Sequence, residues 1–187
     1  MENTIEVLPF LKLAEKRYSA RKYLDKPVNR SLIERAVEAA RLAPSACNSQ
    51  PWHFVVVDEP EKVKKLAEAT FLPLTKMNKF VTQVPVIVAL VSEPSNTSAA
   101  AGGYVKKKPY YLMDIGMAAE HFCLQAAEDN LGTCILGWFN EKKVKKYLNV
   151  PKGRSIPLLI TLGYPEPGNK TVKHRRELDS ILSYNSY

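Results

Sequence analysis

The stretch 43–52, which reads A-P-S-A-C-N-S-Q-P-W, carries the densest group of side chains able to bind a ligand. Its hydroxyl and carboxamide groups both donate and accept hydrogen bonds. They belong to Ser45, Asn48, Ser49 and Gln50. Pro44 and Pro51 restrict the backbone on either side. This lining suits a planar heterocycle with alternating donors and acceptors, although a polar turn that hydrogen-bonds only to itself explains the stretch equally well.

A second candidate binding segment lies at 17–23 and is basic. Arg17, Ser19 and Arg21 occupy alternate positions, and in an extended chain alternate side chains point to the same side. Two guanidinium groups and one hydroxyl would then face a shared point, which suits a phosphate. A basic surface strand is the alternative interpretation. Lys173 and Arg175 repeat the alternating basic spacing near the C-terminus.

The composition is that of one globular domain: 187 residues, of which 45% are hydrophobic and 25% charged. No apolar run approaches the roughly 20 residues of a membrane span, and the N-terminus lacks the pattern of a signal peptide. Three cysteines without a C-x-x-C pair predict a reducing, cytoplasmic location. They also argue against a disulfide framework and a zinc site.

The net charge of +8 is compatible with nucleic acid, an anionic surface or an anionic cofactor as the partner. Lysines cluster at 106–108 and at 142–146. The second cluster has a helical pattern with Val144, Tyr147 and Leu148 on its apolar face, which indicates a solvated helix face. Neither cluster alternates with aromatic residues as in single-strand binders, so nucleic acid binding is the remote alternative.

Motifs for nucleotide binding and for hydrolysis are absent from the sequence. It contains no G-x-G-x-x-G, no P-loop and no G-x-S-x-G, and its three histidines lack metal-ligand spacing. Asp114 and Glu120, in the longest predicted helix, are candidates for an acid–base pair, but helix solvation or a subunit contact is the favoured role. If the protein is an enzyme, a cofactor therefore carries the chemistry.

Hydrophobic periodicity predicts the elements that position these residues. Helices are predicted over 5–18, from Ser31 behind an S-x-x-E capping box, from an Asp58 cap to about Thr70, over 110–130, and after an Asn140 cap. Buried strands are predicted over 52–57, 84–91, 132–138 and 156–162. Residues 92–108 are predicted to form a long loop over a site, and 71–83 are ambiguous. This alternation indicates α/β or α+β with a mixed sheet.

Four motifs follow one another along the chain. They are R-x-S-x-R at 17–21, A-P-S-A-x-N-x-Q-P-W-x-F at 43–54, L-G-T-C-x-L-G at 131–137 and K-x-R at 173–175. In this order they resemble the FMN-dependent nitroreductase family over nearly the whole chain, and the second motif is the most specific. The resemblance implies an α+β, three-layer fold with a central mixed, mainly antiparallel sheet flanked by helices. An FMN-binding domain would span 1–165, and a C-terminal extension, 166–187, would wrap the partner subunit.

The resemblance also implies a homodimer with two FMN sites at the subunit interface and no catalytic side chain. The implied cofactor-binding residues are Arg17, Tyr18, Ser19, Arg21, Pro44, Ser45, Ala46, Asn48, Gln50, Leu136, Gly137, Lys173 and Arg175. The basic segment and a tail cation, Lys173, Arg175 or Arg176, would hold the phosphate. The 44–50 stretch would come from the partner chain and line the isoalloxazine, and the Gly137 backbone N–H would lie near the reactive flavin nitrogen.

The implied activity is a ping-pong reaction. NADPH or NADH would pass a hydride to the flavin in the pocket that later accepts a nitro compound, a quinone or a similar small electrophile. A flavin reductase, dehalogenase or enone reductase of the same family and a non-redox flavin binder remain alternatives. Leu136 stands where some relatives carry an acidic residue, and Trp138 follows Gly137 where many have a second glycine. Trp138 is expected to pack rather than to narrow the pocket.

Overall fold

The computed structural model describes residues 9–72, 78–168 and 173–187. Residues 5–8 of the predicted first helix, 73–77 of the ambiguous segment and 169–172 of the tail lie outside the described residues. Within the described ranges, no helix combines the length and the apolar character needed to cross a membrane.

Six helices and four strands follow one another along the described chain. The helices are α1 Pro9–Lys16, α2 Arg30–Arg41, α3 Pro60–Thr70, α4 Thr97–Lys106, α5 Tyr110–Glu128 and α6 Glu141–Tyr147. The strands are β1 Trp52–Val57, β2 Val86–Ser92, β3 Gly132–Leu136 and β4 Leu158–Gly163. Short 3₁₀ turns occupy Ala46–Asn48, Lys79–Gln83 and Leu178–Ser180.

The strands form one sheet in the order β1-β2-β4-β3, and each neighbouring pair is antiparallel. The α+β alternative is therefore confirmed over α/β. The parallel component of the expected mixed sheet is confined, in the described residues, to an isolated bridge between Ser19 and Thr133. That bridge places the basic segment along β3, which is an edge strand.

Every residue of the central strand β2 is buried, because helices cover both faces of the sheet. Ile87 and Ala89 belong to a cluster with Leu66 of α3 and with Val144 of α6. Val86, Val88 and Leu90 face the opposite way, into a second cluster with α2 and α5. A strand that is apolar on both faces requires a layer on each side, so the predicted three-layer arrangement is confirmed.

Two predicted helix caps are wrong by one or two residues. Asn29, not Ser31, caps α2, because the Asn29 side chain accepts a hydrogen bond from the Ser31 N–H at 3.0 Å. Asp58 does not cap α3, whose N-cap is Glu59. The Asp58 carboxylate instead accepts a 2.6 Å hydrogen bond from Arg30 Nε, and this hydrogen bond lowers the pKa of Asp58.

The predicted long loop at 92–108 is also wrong, since it contains α4. Asn96 caps this helix by accepting a hydrogen bond from the Ala99 N–H at 2.9 Å. Gly102 and Gly103 favoured a loop in the sequence, but an Asn cap followed by three alanines is enough to sustain a short helix here. The Asn140 cap of α6 is confirmed, with Lys143 N–H as its donor at 3.2 Å.

Replacing Gly132 with alanine is expected to destabilise the protein. An added Cβ would lie 2.7 Å from the Cβ of Ala20 and 3.1 Å from that of Pro165, so β3 would have to move away from the basic segment. Overpacking of this kind costs about 1–3 kcal/mol of unfolding free energy, measurable by urea denaturation. Gly102→Ala is the control, because its Cβ would only meet Tyr110 at 3.7 Å. Equal stability of the two variants would contradict the close approach.

Candidate functional site

The basic segment is extended and runs beside the edge strand β3. The Ala20 N–H donates a 2.9 Å hydrogen bond to the Thr133 carbonyl, and Ser19 forms the bridge with the same residue. Ala20 and Tyr23 are buried, whereas Arg21 is exposed. The segment pairs with β3 from Ser19 onward, whereas the Arg17 N–H still donates to the Leu13 carbonyl at 3.0 Å in the last turn of α1.

Cys134 is a buried residue of β3 and follows Thr133, the residue that pairs with Ser19. Burial raises the pKa of Cys134, and three neighbours oppose this shift: the Arg21 charge, a hydrogen bond with Ser19 and the Arg17 charge. The structure therefore places the basic segment against β3, and the shared phosphate site of Arg17, Ser19 and Arg21 stays a prediction.

Tyr18 contacts the core cluster to which Cys134 also belongs. It is half-buried and packs against the cluster that contains α3 and α6, and its burial raises the pKa of its hydroxyl. Arg17 has an acidic neighbour in the same chain, Glu120 of α5, with Nε and Oε1 3.6 Å apart. Only 16% of the Arg17 side chain is exposed, so this ion pair holds the guanidinium against α5.

One of the tail cations lies close to the basic segment. The Lys173 ammonium donates to the carbonyls of Ala14 and Glu15 at 2.7 and 2.9 Å, at the C-terminal end of α1. These carbonyls lie two and three residues before Arg17 in the chain. Arg175 and Arg176 are exposed, and Arg175 donates to the neighbouring His174 carbonyl.

The 43–50 stretch forms a tight turn that hydrogen-bonds partly to itself. Ser45 Oγ accepts the Gln50 N–H at 2.9 Å, and the Gln50 carboxamide donates to Asn48 Oδ1 at 3.1 Å. Cys47, Asn48 and Gln50 have φ angles of 51°, 52° and 48°. This left-handed conformation is unfavourable for residues with a Cβ, and such strain concentrates at functional sites.

Two residues outside the turn hold it in place, and sequence reasoning missed both roles. Asp114 Oδ1 accepts the Ala46 N–H at 3.1 Å. The Asn96 N–H donates to Ser49 Oγ and its carboxamide to the Cys47 carbonyl, both at 2.8 Å. The turn is therefore fastened to α5 on one side and to the start of α4 on the other.

The helix-solvation role expected for Asp114 is wrong, because the residue is only 2% exposed. Its second oxygen, Oδ2, has no hydrogen-bond partner within the described part of the chain. Burying a carboxylate with an unsatisfied oxygen costs free energy. The hydrogen bond that Asp114 accepts from the Ala46 N–H offsets part of this cost. A carboxylate within the apolar pattern of α5 was the signal in the sequence that could have revealed it.

Leu136 and Gly137 end β3, and the chain then turns at Trp138. Leu136 is buried in the core, whereas a Cβ added to Gly137 would meet nothing closer than Leu158 at 4.0 Å. Trp138 is 62% exposed, so the expected packing role is wrong in this chain. Its carbonyl accepts a 2.8 Å hydrogen bond from the carboxamide of buried Asn78.

The basic segment and the turn at 43–50, called the polar turn from here on, attach to different sides of α5. The turn contacts Asp114 and Arg17 contacts Glu120, two residues that lie roughly 9 Å apart along the helix and about 120° apart around it. One chain therefore presents the two halves of the predicted site in different directions.

The fold has counterparts in solved structures. A nitroreductase family protein from Streptococcus pneumoniae TIGR4 superposes with a TM-score of 0.79 and 27% identity over 93% of this chain and 98% of that one. The FMN-dependent nitroreductase from Clostridium difficile R20291 has the same fold, with a TM-score of 0.74 at 24% identity over 94% and 98%. These likenesses define the class as the nitroreductase-like α+β fold.

The chain belongs to the nitroreductase family, a family of oxidoreductases, because residues 14–164 match that family. It is also 29% identical to an NADH dehydrogenase of Thermus thermophilus, over 97% of this chain and 98% of that protein. The family expected from the four sequence motifs is therefore confirmed.

Proposed function

We propose that the protein is an FMN-dependent oxidoreductase that takes electrons from NADPH or NADH and passes them to a small electrophile. The observation that carries this proposal is the pairing of the basic segment with β3, which fixes Ser19 beside Thr133, while Glu120 holds the Arg17 guanidinium against α5. Two guanidinium groups and a hydroxyl supply charge-assisted donors that match the acceptor oxygens of a phosphate. The family membership makes the FMN phosphate the candidate ligand.

The residues present fit the remainder of the flavin. Lys173 is held beside the basic segment and would supply a third cation for the phosphate. Gly137 has open space where a side chain would stand, so a flat ring could approach the backbone closely at this position. Leu136 and Gly137 would lie against the ring, and Pro44, Ser45, Ala46, Asn48 and Gln50 would line it from the partner subunit.

We propose a homodimer because one chain directs its two half-sites differently. An exposed strip on α5 is available for the contact: Met113 and Met117 are 51% and 37% exposed, and nothing lies within 4 Å of a Cβ at Gly116. Residues 166–187 would form the extension that wraps the partner. Their exposed apolar side chains, which include Leu178, Ile181 and Leu182, support this role.

Bound FMN would supply hydride and electron transfer between donor and acceptor in a ping-pong cycle. The chain itself would bind and orient: cations hold the phosphate, and aimed backbone N–H groups near Gly137 stabilise negative charge at the site. Nitro compounds, quinones and similar flat electrophiles are the proposed acceptors. All three cysteines are unpaired, which supports a cytoplasmic location.

Anaerobic reduction of the purified protein tests this function. We expect a yellow protein with about one FMN per chain, which NADH or NADPH bleaches and which nitrobenzene or a quinone reoxidises. The elution volume in size-exclusion chromatography should correspond to a dimer. A colourless protein that takes up no FMN from an excess would reject flavin binding, whereas a yellow protein that neither nucleotide bleaches would reject only the redox role.

A further inference from the structure

A cavity of about 680 Å³ lies beside the polar turn and has no role in the site described above. Its walls are the end of β2, the small residues of α4, the start of α5 and the 153–155 loop. The cavity adjoins the turn directly, since the Glu93 N–H donates to the Pro51 carbonyl at 3.1 Å. A ligand in it would be a neighbour of the residues proposed to line the flavin.

The back wall of the cavity is a network of short hydrogen bonds. Ser92 and Ser155 are joined by their hydroxyls at 2.8 Å and by a Ser155 N–H bond to Ser92 Oγ at 2.9 Å. Arg154 donates through Nε to Glu93 at 3.0 Å, which leaves its two Nη groups as further donors. The guanidinium is therefore oriented before any ligand arrives.

A tight reversal of the chain brings Lys108 to the opposite wall. Lys107 is left-handed, with φ 53°, and the Lys108 N–H donates to the Gly103 carbonyl at 2.9 Å. Only glycine fits at position 103, because a Cβ would lie 2.9 Å from the Lys108 carbonyl oxygen. In the described residues the Lys108 ammonium has no hydrogen bond or ion pair.

The charge of the lining decides what kind of ligand this cavity can take. It holds two cations, Lys108 and Arg154, against one carboxylate, Glu93. A larger groove of about 1150 Å³ near α3 is lined by three cationic and five acidic side chains, so an anion would be repelled there. Tyr110 and Tyr111 add two aromatic rings with hydroxyl donors to the smaller cavity.

We propose that this cavity, named here the Lys108 cavity, binds the anionic part of a substrate that reacts at the flavin, a phosphate or a carboxylate. The substrate's reacting part would then reach the flavin past the neighbouring polar turn. This inference rests on the proposed function. The anion belongs either to the phosphates of the nicotinamide donor or to a carboxylate on the acceptor.

The test uses the FMN-loaded protein and two matched variants, Lys108→Gln and Lys106→Gln. Lys106 is exposed and does not line the cavity, so its variant controls for the loss of one positive charge. NADH is compared with reduced nicotinamide riboside, which lacks phosphate, and 4-nitrobenzoate with uncharged 4-nitrobenzamide. Calorimetry with inorganic pyrophosphate and with benzoate measures anion binding without turnover.

In Lys108→Gln we expect an increase in KM of about fivefold for NADH or for 4-nitrobenzoate, with kcat and the uncharged substrate of the pair unchanged. Which pair responds identifies the source of the anion, and pyrophosphate or benzoate binding should weaken to match. Equal behaviour of the Lys108 and Lys106 variants would overturn the proposal. If the flavin is still bleached by NADH in that case, only the cavity assignment fails and the proposed function stands.

Discussion

Replacing Arg21 with alanine is expected to raise the dissociation constant for FMN by roughly ten- to a hundredfold. A hydrogen bond to a charged group contributes about 1.5–3 kcal/mol, and Arg21 is an exposed cation of the basic segment proposed to hold the phosphate. Because Arg21 is exposed and makes no core contact, the free energy of unfolding of the apoprotein should change little. Equilibrium dialysis and the absorbance ratio of flavin to protein measure the effect.

Lys22→Ala is the matched control for Arg21→Ala. It removes one positive charge from the same extended segment, but its side chain points to the other side. We expect FMN affinity within about twofold of the wild type for this variant. If Lys22→Ala and Arg21→Ala weaken FMN equally, binding depends on total charge, and the shared phosphate site is wrong.

Replacing Asp114 with alanine is expected to lower FMN affinity about tenfold or more while the fold persists. The Ala46 N–H would lose its buried acceptor, which costs about 1–3 kcal/mol. Without that anchor, Cys47, Asn48 and Gln50 can leave their left-handed conformations, each of which stores roughly 1–3 kcal/mol of strain. Titration of the apoprotein with FMN and thermal unfolding measure the two effects separately.

Asp114→Asn separates the hydrogen bond from the charge. An asparagine keeps one carbonyl oxygen for the Ala46 N–H and replaces the unpartnered Oδ2 by a neutral group. We therefore expect a smaller loss of FMN affinity than in Asp114→Ala, together with an unchanged or raised melting temperature. Glu128→Ala, at the exposed C-terminal end of α5, controls for a lost acidic side chain. An alanine variant with normal FMN affinity would show that the turn needs no anchor.

Hydrophobic periodicity in the sequence predicted most of the helices and strands correctly. The strand predicted over 52–57 coincides with β1, and the helix predicted over 110–130 with α5, Tyr110–Glu128. Both segments are long or strongly apolar, so periodicity alone identifies them. The errors fall at caps and in the 92–108 segment, where one Asn side chain decides between helix and loop. Such a choice depends on a single hydrogen bond and leaves little periodic signal.

The candidate site was predictable in its composition but only partly in its geometry. The alternate spacing of Arg17, Ser19 and Arg21 assumed an extended chain, which the structure has from Ser19 onward, where the segment pairs with β3. Tyr18 packs against the core cluster that also contains Cys134. The exposure of Trp138 was missed, since an indole in an apolar context is usually buried.

The sequence by itself determined the family, the helices and strands, and the kinds of group available to hold a phosphorylated ligand. Each of those properties depends on residues that lie within a few positions of one another in the chain. Only the tertiary structure decided that Asp114 anchors Ala46, 68 positions away, and that Arg154 and Lys108 face one cavity. Contacts between distant segments depend on how the layers pack, and no local pattern in the chain encodes that packing.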